Sequence, residues 1–305
     1  MSKIESFVEM FDDMADEQHE RIIPIVAEDQ DVTDDSVHFP DTMPILPLRN
    51  AVMFPGVITP VSVGRKRSLK LIRNAYKKGL AIGTIAQIDE KVETPNQNDL
   101  YRVGTVADIL KILEMPDGST TAILQGKRRF VLDDILYNDP YHMGKITLLK
   151  ESLPDKHDKE YNAIVESVRD SASKLVKLSS TLPPEANFAL RNIDNSMFLV
   201  NFVANNAGVD FLSRQQLLEI DDAKERTSFL LEILGKQISL MKLKNEIQER
   251  VKGELDKQQR EYLLNQQLRT IQEELGGTPN EIDIKVLKEK AAKKKWPKEV
   301  EETFE

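Results

Sequence analysis

The sequence predicts an α+β chain: a β-rich N-terminal region, then a helical bundle, then one very long helix. Three observations carry this. Short Val-, Ile- and Leu-rich runs broken by prolines and an Asp-Gly turn fill the stretch from Thr42 to Leu149. From Lys156 onward, apolar residues recur instead at helical spacing. Between Asp222 and Gly277 there is no proline, and only Gly235 and Gly253 interrupt good helix formers.

In order, residues 1–41 form an acidic tail. It carries 13 acidic and 2 basic residues, and Glu28–Asp35 (EDQDVTDD) is too charged to pack, so disorder is expected. The β-rich region is placed at 42–153. Pro44, Pro47, Pro55 and Pro60 forbid a helix in residues 43–65 and favour edge strands and extended chain. A helix is predicted for Arg65–Lys78, with Leu69, Ile72, Ala75 and Tyr76 on one face and Gly79 as its end. Leu80–Ile88 reads as a buried strand and residues 89–99 as a polar loop. Tyr101–Met115 and Thr120–Gln125 form a hairpin around Pro116-Asp117-Gly118, where Gly118 needs a positive φ. Arg129–Leu136 and Met143–Leu149 add strands, and a partly closed barrel or folded-over sheet follows.

The bundle is placed at 154–221. Lys156–Leu178 carries Tyr161, Ile164, Val165, Val168, Ala172, Leu175 and Val176 on one face. After a break at Ser179–Pro184, a single helix is predicted for Pro184–Ala207, including Phe188 and stopped by Gly208. Ser213 is taken to cap a short helix, Arg214–Ile220.

The long helix is placed at 222–277, capped by Asp221 or Asp222 and stopped by Gly276-Gly277 before Pro279. It would span roughly 80 Å. Its composition changes midway: nine of fifteen residues in Phe229–Leu243 are apolar, against three of eighteen in Lys244–Glu261. The first half can be buried; the second is expected to protrude as a coiled-coil-like arm. Beyond it, Leu264, Leu268, Ile271 and Leu275 follow the 4, 3, 4 spacing of a heptad seam, a candidate assembly surface. Leu231, Leu234, Ile238 and Met241 keep a different register, which argues against one uniform coiled coil. Residues 278–305 are charged, with a basic knot at Lys293–Lys295 beside Trp296-Pro297. The helix start at Pro297 predicts that the chain is the front part of a longer protein.

Composition narrows the chemistry. The chain has no cysteine, which removes disulfides, thiolate zinc sites and thiol catalysis and suits a reducing cytoplasm. No run approaches 18 apolar residues, so no membrane partner is expected, and no secretory leader is visible. The net charge of −9 is a property of the tail: the rest of the chain carries 40 basic and 38 acidic residues. Such balance does not indicate a broad nucleic-acid-binding face. No phosphate loop is present, since Gly126-Lys127 is followed by Arg128, and there is no G-x-S-x-G. His19, His38, His142 and His157 are scattered without metal-ligand spacing. Asp133-Asp134 and Asp221-Asp222 are assigned to turns and caps. No catalytic, cofactor or metal residue is assigned.

Three stretches resemble the N-terminal part of Lon, the ATP-dependent serine protease: PILPLRNAVMFPGVITPVSVGR (44–65), VGTVADILKILEMPDGSTTAILQGKRRF (103–130) and QREYLLNQQLRTIQEELGG (259–277). The resemblance implies a pseudo-barrel substrate-binding domain, a bundle with a long helix, and then ATPase and Ser-Lys protease modules that are not in this sequence. It implies that ATP and Mg belong to the parent protease rather than to this chain, and that unfolded or damaged protein and hexamer assembly are its business. Leu48, Val52, Met53 and Phe54, in a proline-limited stretch, are the candidate substrate contacts. A coiled-coil adaptor is the alternative, and a nucleic-acid-binding pseudo-barrel a weaker one.

Overall fold

The computed structural model describes residues 38–115, 118–155, 157–179, 185–274 and 279–293. The acidic tail to Val37, Pro116-Asp117 of the predicted turn, the break at residues 180–184, Leu275, the Gly276-Gly277 stop, Lys294, Lys295 and Trp296-Pro297 lie outside the described residues.

Six strands form one sheet: β1 (Thr42–Leu48), β2 (Ile58–Val63), β3 (Ile82–Ala86), β4 (Val103–Glu114), β5 (Thr120–Tyr137) and β6 (Met143–Leu148). Their order is β2-β5-β4-β3-β1-β6, and β6 pairs again with β5, so five strands close a ring. The length of β5 makes this possible. Its first part, Thr120–Gln125, pairs with β2, and Phe130–Tyr137 pairs with β6, while β4 runs along the other edge. Two separate strands were expected here. Instead the chain passes through Gly126 and Lys127 without a break, at a register shift opposite Val106–Ala107. A second shift lies at Asp133, so Asp133-Asp134 sits in the strand and not in a turn.

The prolines do not confine β1 to an edge. Thr42–Pro44 pair with β6 and Ile45–Leu48 with β3. The Ile45 N–H donates to His142 and the Leu48 carbonyl accepts from Gln87 N–H, so successive residues face alternate sides. The nitrogen of Pro47 therefore faces the side beyond the β6 pairing, and that of Pro44 the side before β3 begins. Neither forfeits a ladder bond. Pro60 occupies β2, which among the described strands pairs with β5 alone, as an edge strand should.

Helix α1 (Lys66–Lys78) buries Leu71, Ile72 and Ala75; Leu71 was not anticipated, and Tyr76 is exposed. Strand β3 is shorter than expected, leaving Leu80 and Ile88 exposed. Helix α2 (Lys159–Leu178) follows the predicted face and is capped by Asp158, whose carboxylate accepts from Glu160 and Tyr161 N–H. The single helix expected at Pro184–Ala207 is two, α3 (Glu185–Arg191) and α4 (Ser196–Asn206). The Asn195 side chain accepts from Phe198 N–H at 2.9 Å and starts α4 afresh. Arg169 of α2 donates to the carbonyls of Leu190 and Ile193 across the break. Phe188 is exposed. Helix α5 (Phe211–Glu219) is capped by Asp210 rather than Ser213, the carboxylate accepting from Ser213 N–H at 3.0 Å. Hydrogen bonds from Ser213 hold the Asp210 carboxyl below its ordinary pKa.

Helix α6 (Ala223–Glu274) is the predicted long helix, capped by Asp222, and α7 (Pro279–Ala292) follows. The chain divides into two compact units between Lys242 and Leu243. In the first, Leu230, Ile233 and Leu234 of α6 join Val168, Leu199, Val203 and Leu217 in one helical core, and Val52, Phe54, Val57 and Ala86 belong to it too. Three further clusters fill the β region, one around Leu46, Ile72 and Leu124, one around Ile45, Val106 and Phe130, and a small one of Ile58 and Ile123. In the second, the described side chains from Leu243 to Glu274 are exposed apart from the half-exposed Asn245 and Gln272. Burial ends sooner than the apolar composition implied, because Leu240 and Leu243 are exposed.

Candidate functional site

The four candidate substrate contacts are not surface. Leu48, Val52, Met53 and Phe54 are each at most 3% exposed. Beyond the exposed Arg49 and Asn50, Val52–Pro55 and Val57 form a buried stretch of loop with carbonyls that are satisfied internally. The Thr105 hydroxyl donates to Met53 O at 2.6 Å, and Asn201 of α4 donates to Pro55 O at 3.1 Å. Gly56 N–H donates to Gly126 O, and Gly126 N–H to Val57 O. The loop is thus a plug shared by sheet and bundle. Prolines limit strand pairing here, as expected, yet the freed segment turns inward because its side chains are apolar.

Some accessible apolar surface lies elsewhere, in an open groove of about 870 Å³. Its walls are the start of β1 (Thr42, Met43, Pro44), the end of α1 with Leu80 and Ala81, the segment Tyr137–Met143, and Phe39. Local structure explains the mouth. Gly79 ends α1 in the left-handed conformation at φ 62, and the N–H groups of Gly79 and Leu80 return to Tyr76 O and Ala75 O. That closure turns Leu80 outward, 47% exposed. Tyr137 ends β5 and is 50% exposed. Tyr141 is fixed by Asn74, which donates to its hydroxyl at 2.6 Å.

The groove is rimmed by charge. Among the described residues, Lys78, Lys127, Arg128 and the carboxylate of Asp108 line it, with the imidazole of His38 beside them. Lys127 Nζ lies 3.4 Å from that carboxylate and 2.9 Å from Gln125 Oε1. The site combines apolar walls with a rim that carries three basic side chains and one carboxylate among the described residues. Among the described residues no cluster of three His, Asp or Glu side chains could hold a metal ion.

His142 is a structural histidine. It is 6% exposed, with Nδ1 2.6 Å from Asn138 Oδ1. Burial lowers its pKa from 6.5, and Arg67 and Arg65 push the same way. The unfolded chain therefore takes up this proton first as pH falls, so the stabilisation is intact above pH 6.5 and is lost as pH drops from there toward the folded value. The urea midpoint should decline across that window, and His142→Gln should flatten the decline. An unchanged slope in the variant would clear His142 of the effect.

The candidate seam is accessible where it is described. Leu264, Leu268 and Ile271 are 55%, 53% and 56% exposed. Ile247, Val251, Leu255 and Tyr262 of the same helix are exposed as well. Sequence reasoning missed the groove residues. Leu80 was placed in a strand and Tyr137–Tyr141 between two strands. The one local signal was an aromatic on either side of Asp139-Pro140.

Residues 42–236 match the family model described as the ATP-dependent protease La (LON) substrate-binding domain. The chain is 45% identical over 298 residues to Lon protease of Parabacteroides distasonis, which covers 97% of this chain and 36% of that protein. It is also 45% identical over 286 residues to Lon protease of Porphyromonas gingivalis, covering 93% of this chain and 34% of that one. It thus spans about a third of the length of these relatives. The solved N-terminal domain of Mycobacterium avium complex Lon protease is similar in fold, with a TM-score of 0.52 at 17% identity, covering 64% of this chain and 98% of that one.

Proposed function

We propose that this chain, which belongs to the family of ATP-dependent protease La (LON) substrate-binding domains, uses its groove to hold exposed apolar segments of unfolded or damaged protein. The carrying observation is the accessible apolar lining, Leu80 and Tyr137 above all, in a β region whose other large apolar side chains are mostly buried. Unfolded chains differ from folded ones in the apolar surface they present, so a reader of them needs such a surface. Chemistry belongs to the rest of the longer protein, where ATP, Mg and the Ser-Lys pair would act in the cytoplasm. The chain itself then neither hydrolyses ATP nor cuts protein.

The test is affinity for fluorescein-labelled casein. Leu80→Ser with Tyr137→Ser should weaken binding at least ~5-fold, the loss of about 1 kcal/mol of apolar contact. Both side chains are half-exposed, so the fold should survive, which circular dichroism checks. A folded variant that binds casein normally would remove the groove from substrate recognition.

The exposed seam on α6 favours a second role, assembly. Three described seam residues span little more than one heptad, too short for a stable coiled coil alone. The chain should self-associate weakly, and attachment to a ring would raise the local concentration enough for hexamers. Leu268→Asp with Ile271→Asp should abolish concentration-dependent sedimentation and leave the unfolding midpoint unchanged. Identical sedimentation of both proteins at every concentration would show that the seam does not assemble.

A further inference from the structure

We propose that the acidic segment of this same chain, Glu28–Asp35, docks on the cationic rim of the groove and competes there with client polypeptide. The inference rests on the reading of the groove as the client site.

Three observations carry it. The first is connectivity. His38, Phe39 and Pro40, the first described residues, line the groove itself. At about 3.4 Å per extended residue, the three residues from His38 back to Asp35 can span at most roughly 10 Å and the ten back to Glu28 at most roughly 35 Å. The tether is long enough for the acidic run to reach the rim and short enough to keep its local concentration there high. The second is charge. Glu28, Asp29, Asp31, Asp34 and Asp35 carry five negative charges in eight residues, with no cation among them. Among the described residues that line it, the groove presents Lys78, Lys127 and Arg128 against the carboxylate of Asp108. The third is composition. Ile22, Ile23, Ile25 and Val26 precede the acidic run, and Val32 interrupts it, so the segment offers apolar side chains to an apolar wall as well as charge to its rim.

Tethering converts a weak contact into an effective one. A short linker supplies a local concentration of order millimolar, so an intrinsic affinity in that range half-fills the site. Client must then displace the segment. The competition is electrostatic and weakens with salt, because the Debye length shrinks from about 10 Å at 0.1 M to about 3 Å at 1 M. Wild type should therefore gain affinity for client as salt rises through the range in which the rim is screened.

Two measurements on the full chain decide it. In the first, benzoylphenylalanine replaces Val32 and photocrosslinks are mapped by mass spectrometry. Crosslinks should fall on residues 78–81, 127–128 and 137–143 and should vanish in Lys78→Glu with Arg128→Glu. Crosslinks elsewhere would overturn the proposal. So would crosslinks joining isotopically labelled to unlabelled chains, which would place the segment on a second copy. In the second, casein affinity is measured for a variant carrying Glu28→Gln, Asp29→Asn, Asp31→Asn, Asp34→Asn and Asp35→Asn. It should bind at least 3-fold more tightly than wild type at 50 mM salt and equally at 1 M. Equal binding at both would overturn the competition. If Leu80→Ser with Tyr137→Ser leaves casein binding intact while crosslinks still reach the groove, the client reading fails and the docking stands. If casein needs the groove and the crosslinks miss it, only the docking fails.

Discussion

Glu151→Ala should destabilise the first unit by ~3–5 kcal/mol, the loss seen when one partner of a buried ion pair is removed. Two arginines depend on this carboxylate. Arg129 of β5 has a fully buried side chain and donates from Nε to Glu151 Oε1 at 2.7 Å and from Nη2 to Oε2 at 3.3 Å. Arg226 of α6 is 1% exposed at its side chain and reaches Oε2 at 3.1 Å. Both also donate to the Ile220 carbonyl, and Arg129 to Leu218 O at 2.8 Å. Burial lowers the Arg226 pKa while Glu151 raises it, and Arg129 repels it. Alanine at 151 would leave two buried like charges facing each other, with backbone carbonyls to accept from them but no buried carboxylate to neutralise them. Asp221, 3.1 Å from Arg129 but 65% exposed, is too well solvated to replace it. Glu151→Gln keeps one acceptor and should fall between. Urea unfolding of the three proteins measures the effect, and a loss below about 1 kcal/mol for alanine would mean that water reaches the arginines.

Gly126→Ala should cost at least ~2 kcal/mol, through overpacking together with strained hydrogen bonds. A Cβ at 126 would stand 2.2 Å from the Phe54 carbonyl oxygen and 2.9 Å from its carbon. These are backbone atoms of the plug loop and cannot rotate aside. Moving them stretches both bonds between Gly126 and the loop. Gly118 makes the useful contrast. Its φ is +82, but a Cβ there meets nothing within 4 Å. Gly118→Val should lose only the left-handed strain, ~1 kcal/mol or somewhat more. Thermal melts of the two variants should rank them in that order. The reverse order would mean that the plug loop yields easily.

These two glycines also show where the sequence speaks and where it does not. Gly118 is announced by its neighbours, because Asp-Gly between two apolar runs has a local cause. Nothing local marks Gly126; its constraint is a carbonyl 72 positions earlier. The same division runs through the molecule. The faces of α2 and the run of α6 were legible because helical periodicity is read within a few residues. The inward turn of Val52, Met53 and Phe54 was not, because burial depends on what Thr105 and Asn201 offer from distant elements. The groove was illegible for a related reason: Leu80, Tyr137 and Tyr141 look like core residues, and only the closure of α1 at Gly79 and the end of β5 turn the first two outward. The exposure of Leu264, Leu268 and Ile271 was legible, since the helix around them is too charged to be buried.

The pairing of β1 has a consequence for how the chain is made. Thr42 sits opposite Lys145, while the Ile45–Gly83 pairing is available much earlier along the chain. During synthesis at roughly 5–20 residues per second, β1 can meet β3 several seconds before β6 leaves the ribosome. Until then the β6-facing edge of β1 has no partner, and the second part of β5 lacks one of its two neighbours. Non-local closure of this kind is slow, whereas the helices downstream rest on local contacts. The nascent chain thus spends its most aggregation-prone interval with strand edges open, and a chain halted before Leu148 should remain a target for chaperones rather than a small stable barrel.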